Sequence, residues 1–63
     1  MDMELLKKPN LMGKYEVNFR TRTGEVVSES LGYFGTMDDP EKAGRDRVRG
    51  QAGEFISVIH VGY

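Results

Sequence analysis

Hydrophobic and polar residues alternate most regularly over residues 14–22, KYEVNFRTR. Tyr15, Val17 and Phe19 share one parity, while Lys14, Glu16, Asn18, Arg20 and Arg22 share the other. Successive side chains of a strand point to opposite faces, so this run predicts a half-buried β-strand. Thr23 and Gly24 follow, then EVVSESLGYF over residues 25–34. A short polar break with a glycine that tolerates positive φ, set between two strand-like runs, predicts a hairpin. The second strand is less regular: Val27, Leu31 and Tyr33 share a parity with Glu29, whereas Val26 and Phe34 fall with Ser28, Ser30 and Gly32. One extra residue moves later side chains to the opposite face, so a bulge near residues 28–32 reconciles the two patterns. The last run, EFISVIHVGY, is apolar on both parities, with Phe55, Ile59, Val61 and Tyr63 on one and Ile56 and Val58 beside His60 on the other. Strands covered on both faces read this way, which predicts a central place in the sheet or at least partial cover on both faces.

Between the second and third strands, GTMDDPEKAGRDRVRGQAG changes to helical spacing. Thr36 with Asp39 three residues on, and Asp39 followed by Pro40, are both start signals, so a helix begins within residues 36–40. Acids Asp38, Asp39 and Glu41 fall at its positive end, and Arg47 and Arg49 near its negative end, as the helix dipole favours. Met37, Pro40, Gly44, Val48 and Ala52 would make a narrow apolar stripe. Gly44 and Gly50 each cost about 0.5–1 kcal/mol relative to alanine, so the helix depends on packing, and Gly50 or Gly53 ends it. The predicted fold is α+β: a small antiparallel sheet of about three strands in the order ββαβ, with one helix packed on one face. Should Ile56, Val58 and Val26 point away from the helix, the uncovered sheet face is apolar and marks a partner or self-association site.

The 63 residues make one small domain, which at this size buries only about 60% of its unfolded surface. Residues 1–13 read either as a frayed arm or as a short helix capped by Asp2, running through Lys8 and stopped at Pro9. A hydrophobic fraction of 38% and a charged fraction of 30% predict a globular rather than a disordered chain. There is no cysteine, hence neither a disulfide framework nor a thiolate metal site, and the cytoplasm is the default setting. No run is long and apolar enough for a signal peptide or a membrane span, so no membrane partner is expected. The formal net charge of -1 argues against a chain that lives on phosphate backbones.

Candidate chemistry is sparse. His60 stands alone in a strand without a nucleophile motif, and one imidazole does not make a metal site. Asp38 and Asp39 read as capping and dipole residues. Gly32 and Gly35 flank two aromatics and form no phosphate-cradling loop. No enzymatic activity, cofactor or metal is expected. The basic alternative is nucleic-acid binding through Arg20, Arg22 and the helix arginines. At 100° per residue, however, Arg45, Arg47 and Arg49 spread over more than half the helix circumference instead of forming one stripe.

Residues 33–61, YFGTMDDPEKAGRDRVRGQAGEFISVIHV, resemble the helix and final strand of the small RNA-polymerase inhibitors of T7-like phages. Those proteins share a hairpin, a Thr-initiated acidic helix, an Ala-Gly turn and a closing strand, and similar layouts occur among small anti-CRISPR proteins. Where the polymerase inhibitors carry contacting arginines on the last strand, this chain has Ser57 and His60, so the likeness implies the broader class of host-directed inhibitor. That class implies a phage or mobile-element protein acting in the host cytoplasm. Its partner would be a host bacterial protein or complex, such as RNA polymerase or a CRISPR effector, with a homodimer as a compatible assembly. The candidate partner-binding residues are Tyr33, Phe34, Met37, Asp38, Asp39, Glu41, Arg45, Arg47 and Arg49, with Tyr63 as a further anchor. From the assigned strand faces, Phe19→Ala and Ile59→Ala are each expected to destabilise by about 2–5 kcal/mol, read by thermal unfolding.

Overall fold

A computed structural model describes residues 10–63, so the helix expected between Asp2 and Lys8 lies outside the described residues. Strand β1 spans Gly13–Arg20, β2 Val26–Phe34, helix α1 Pro40–Gly50 and β3 Glu54–Gly62. The three strands form one antiparallel sheet in the order β2-β1-β3, the α+β fold with ββαβ order that the alternation predicts. Because β2 and β3 lie on opposite sides of β1, the chain must cross the sheet between them, and α1 makes that crossing.

The central strand is therefore β1, not β3. Tyr15, Val17 and Phe19 of β1 are buried beneath the helix, whereas β3 has a neighbour on one side only. The two-sided apolar pattern of β3 has another origin, which is its broken register. Phe19 faces Phe55 but Asn18 faces Ser57, and Tyr15 faces His60 but Lys14 faces Gly62. Ile56 and Val61 are thus extra residues that switch parity twice. Phe55, Val58 and His60 accompany β1's buried side chains, while Ile59 pairs with Glu16 on the opposite face and is 42% exposed. The core cost expected for Ile59→Ala accordingly does not apply, while that for Phe19, 1% exposed, does.

On β2 the expected bulge is present: Glu16 faces Ser30 and Tyr15 faces Gly32, with Leu31 as the additional residue. Gly32 takes φ +95°, a conformation that glycine adopts at no steric cost. The shift returns Phe34 to the helix side, where its ring meets Tyr15 edge-on at 5.7 Å. Away from the helix a polar row crosses the sheet, with Val26 and Ile59 exposed on the same face. Asn18 donates to Ser57 and accepts from Ser28, and Arg20 pairs with Glu54 at 3.6 Å. Val58 packs against the core on the helix side, so the apolar open face requiring it does not form.

Helix α1 begins where the Asp-Pro pair places it. The Asp39 carboxylate accepts from the Lys42 backbone N–H at 3.1 Å, and Pro40 occupies the first turn. Its buried residues are Pro40, Gly44 and Val48, spaced four apart along one line. Met37 and Ala52 are not part of this stripe: Met37 is 76% exposed before the helix, and Ala52 lies past its end at φ +57°. Gly44 is the contact point. A Cβ there would overlap Val58 Cγ2 and sit 3.2 Å from Val17 Cγ2. The residue that weakens the isolated helix is thus what lets it lie directly on the sheet.

Two glycine substitutions separate these effects. Gly44→Ala is expected to lower stability by about 1–3 kcal/mol, because overpacking outweighs improved helix propensity. Gly50→Ala adds a methyl that meets nothing within 4 Å, and is expected to raise stability by about 0.5–1 kcal/mol. Urea unfolding of both variants provides the comparison, and stabilisation of both would contradict close helix-sheet packing.

Candidate functional site

The charged residues of the 36–49 segment have intramolecular partners. Asp38 accepts from the Gly35 backbone N–H at 2.6 Å and closes the turn, and Asp39 caps α1. Glu41 holds Arg45 at 2.8 Å, Asp46 holds Lys42 at 3.2 Å and also Arg49, and Glu29 of β2 holds Arg47 at 3.0 Å. The Arg45 guanidinium additionally lies 4.3 Å from the centre of the Phe55 ring. Exposed pairs of this kind each contribute about 0–1 kcal/mol, so their role here is chiefly to distribute charge. They offset the positive charge of the helix arginines locally and leave no uncompensated basic stripe for a phosphate backbone. Arg20 pairs with Glu54 and donates to the Gly24 carbonyl at 3.2 Å, while Arg22 stands exposed on the hairpin turn.

Glu29 was not among the residues singled out from sequence, although an acid on the apolar parity of β2 was the available signal. Its cross-strand partner is the buried Val17, which sets it on the helix side. There a single carboxylate oxygen accepts from Gln51 and Arg47, each at 3.0 Å. The Gln51 hydrogen bond, followed by that from Arg47, lowers the pKa of Glu29 below its ordinary value.

The aromatic residues divide into a structural row and an exposed set. Phe34, Tyr15 and His60 form the row, in edge-on contacts at 5.7 and 5.2 Å, and the exposed Tyr63 ring meets its outer end at His60 at 4.8 Å. Tyr15 donates its hydroxyl to the Leu11 carbonyl at 2.6 Å, and His60 Nε2 lies 3.0 Å from the Met12 carbonyl. A carbonyl only accepts, so that ring nitrogen carries the proton. These contacts, with Asn10 N–H donating to Thr36 O at 2.7 Å, tie residues 10–12 to the sheet. His60 is thereby engaged in holding the entry to β1, and Phe34 is half-buried against Tyr15, less available as an anchor than Tyr33 or Met37.

Among the described residues nine large apolar side chains are exposed, and six of them, Leu11, Met12, Tyr33, Met37, Val61 and Tyr63, lie at one end of the sheet. Here β1 begins and β2 and β3 end, as the pairing of Lys14 with both Tyr33 and Gly62 shows. The opposite end carries Thr21, Arg22, Thr23, Gly24 and Glu25 in the hairpin and Gln51 beyond the helix. An open groove of about 520 Å³ runs between the first half of α1 and β3, with Tyr15, Phe55 and Val58 among its walls and Asp39, Glu41 and Arg45 at its rim. Among the described residues, no group of three or more His, Cys, Asp or Glu side chains could hold a metal ion. No described helix is long and apolar enough to cross a membrane. No protein-family model, curated protein or solved structure matches this chain.

The Glu29 contacts make stability depend on pH. A carboxylate with a depressed folded pKa stabilises above its unfolded value, near 4.3 for glutamate, and loses that contribution as pH falls through the folded value. Glu29→Gln is therefore expected to melt below the wild type at neutral pH, with the difference shrinking as pH falls below the ordinary carboxylate range. A difference independent of pH would contradict an ionised Glu29 as the link between β2 and α1.

Proposed function

We propose that this chain is a non-enzymatic protein-binding module that docks through its apolar end. The observation that carries this reading is the division of the surface: six exposed apolar side chains lie where β1 begins, while the hairpin end is polar apart from Val26. Exposed apolar side chains concentrated in one region favour a protein partner, and Tyr and Met are side chains that recur in interface cores. Tyr33, Met37 and Tyr63, at 60, 76 and 79% exposure, are the anchors in this account. The acids and arginines of α1 hold the helix and supply a charged rim that orients the approach.

The resemblance of residues 33–61 to phage inhibitors suggests the class of partner, a bacterial nucleic-acid-handling machine such as RNA polymerase or a CRISPR effector. Binding to nucleic acid itself is the less supported reading, because each helix arginine already faces a carboxylate.

The test is retention of a protein from bacterial lysate on the immobilised chain, followed by affinity measurement with the purified partner. Tyr33→Ala combined with Tyr63→Ala is expected to weaken that affinity at least tenfold, about 1.4 kcal/mol, while leaving the melting temperature nearly unchanged. Arg45→Glu with Arg49→Glu is expected to alter the salt dependence more than the affinity at high salt. Micromolar, steeply salt-dependent binding to generic duplex DNA, unaffected by the tyrosine variants, would overturn the reading.

A further inference from the structure

Among the described residues, strand β2 is hydrogen-bonded to β1 and has no strand along its other side, over nine residues. Proteins that remain monomeric blunt such a rim with lysine, proline, bulges or charges set along it. β2 contains neither lysine nor proline, its one bulge at Leu31 leaves Val26–Ser30 regular, and its single charge, Glu29, is drawn to the helix by Arg47 and Gln51. The rim of β3 is different, since its register is broken at both Ile56 and Val61. Helix α1 packs mainly on β3, so Val27 and Leu31 of β2 are only partly covered. Among the described residues, just three side chains are fully buried, Val17 and Phe19 of β1 and Val48 of α1. Domains this small gain stability from disulfides, metals or oligomerisation, and this chain has no cysteine.

We propose that a second copy of this chain pairs antiparallel along β2 about a two-fold axis at Ser28, giving a six-stranded sheet with both helices on one face. The stretch Val26–Ser30 precedes the Leu31 bulge, and centring it on Ser28 uses all five residues. Val26 then lies opposite Ser30, and Val27 opposite Glu29, so each carboxylate meets a valine and stays within reach of its own Arg47 and Gln51. A centre at Glu29 would set two carboxylates face to face, which is destabilising. The contact is isologous and closes on itself, covering the Val26–Ser30 part of the β2 rim. It uses a different surface from the apolar end, so it stands or falls independently of the partner reading.

Sedimentation equilibrium of the full chain is expected to give twice the 7.1 kDa of one copy at micromolar concentration. Because the chain has no cysteine, Ser28→Cys introduces a single thiol. Residues directly opposite in an antiparallel pair have Cα atoms about 4.5–5.5 Å apart, within disulfide range. Mild oxidation is expected to link Ser28→Cys into a covalent dimer at least tenfold faster than Ser57→Cys on β3. Ser28→Lys, which sets two ammonium groups opposite each other, is expected to raise the dimer dissociation constant at least tenfold with the circular dichroism spectrum retained. A 7.1 kDa particle at every concentration, or equal crosslinking rates at positions 28 and 57, would overturn the proposal.

Discussion

The arrangement of this domain depends on the closeness with which α1 lies on the sheet at Gly44. With hydrogen in place of a side chain, the helix backbone rests on Val17 and Val58, and a methyl group would overlap the latter. The helix therefore needs no broad apolar face. Pro40, Gly44 and Val48, four residues apart, make a single line of contact. The ends of that line are fixed by local chemistry: the Asp39 cap and Pro40 at the start, and at the finish Gly53, whose N–H donates to Val48 O at 3.0 Å. A Cβ on Gly53 would itself lie 3.0 Å from Phe19 Cδ2, so the exit from the helix is also closely packed, though less so than its middle.

Close packing also explains the register of β3. For Val58 to lie under Gly44 while Phe55 stays under the helix beside Phe19, the two must share a face although they are three residues apart. Strict alternation forbids this, and the extra residue at Ile56 permits it. The same logic at Leu31 and Gly32 brings Phe34 to Tyr15. The β2 bulge was legible in sequence because the parity of Val27 and Leu31 conflicts with that of Phe34 across a glycine. The β3 breaks were not, since a run apolar on both parities fits a buried strand equally well. The pattern therefore suggested a central strand and a buried Ile59, where the sheet has an edge strand and a half-exposed isoleucine.

The candidate site was legible to a similar depth. The Asp-Pro start, the dipole order of the charges and the scattered angles of the arginines all follow from one-dimensional spacing, and the helix carries them as expected. The pairing of Arg47 and Gln51 with Glu29 depends on which strand the helix crosses, information that spacing does not contain. The gathering of Leu11, Met12, Tyr33, Met37, Val61 and Tyr63 likewise arises from tertiary structure, because three separate chain segments meet where β1 begins. Charge on α1 is thus largely compensated within the chain, and the exposed apolar side chains are concentrated at the opposite end from the hairpin.

The central claim, direct helix-sheet contact at Gly44, is tested most directly by a double-mutant cycle between Gly44 and Val58. Removing Val58 Cγ2 removes the atom that a new methyl would strike, so Gly44→Ala should destabilise the wild type yet be neutral or stabilising when added to Val58→Ala. A Gly44→Ala penalty of equal size in both backgrounds would contradict the account.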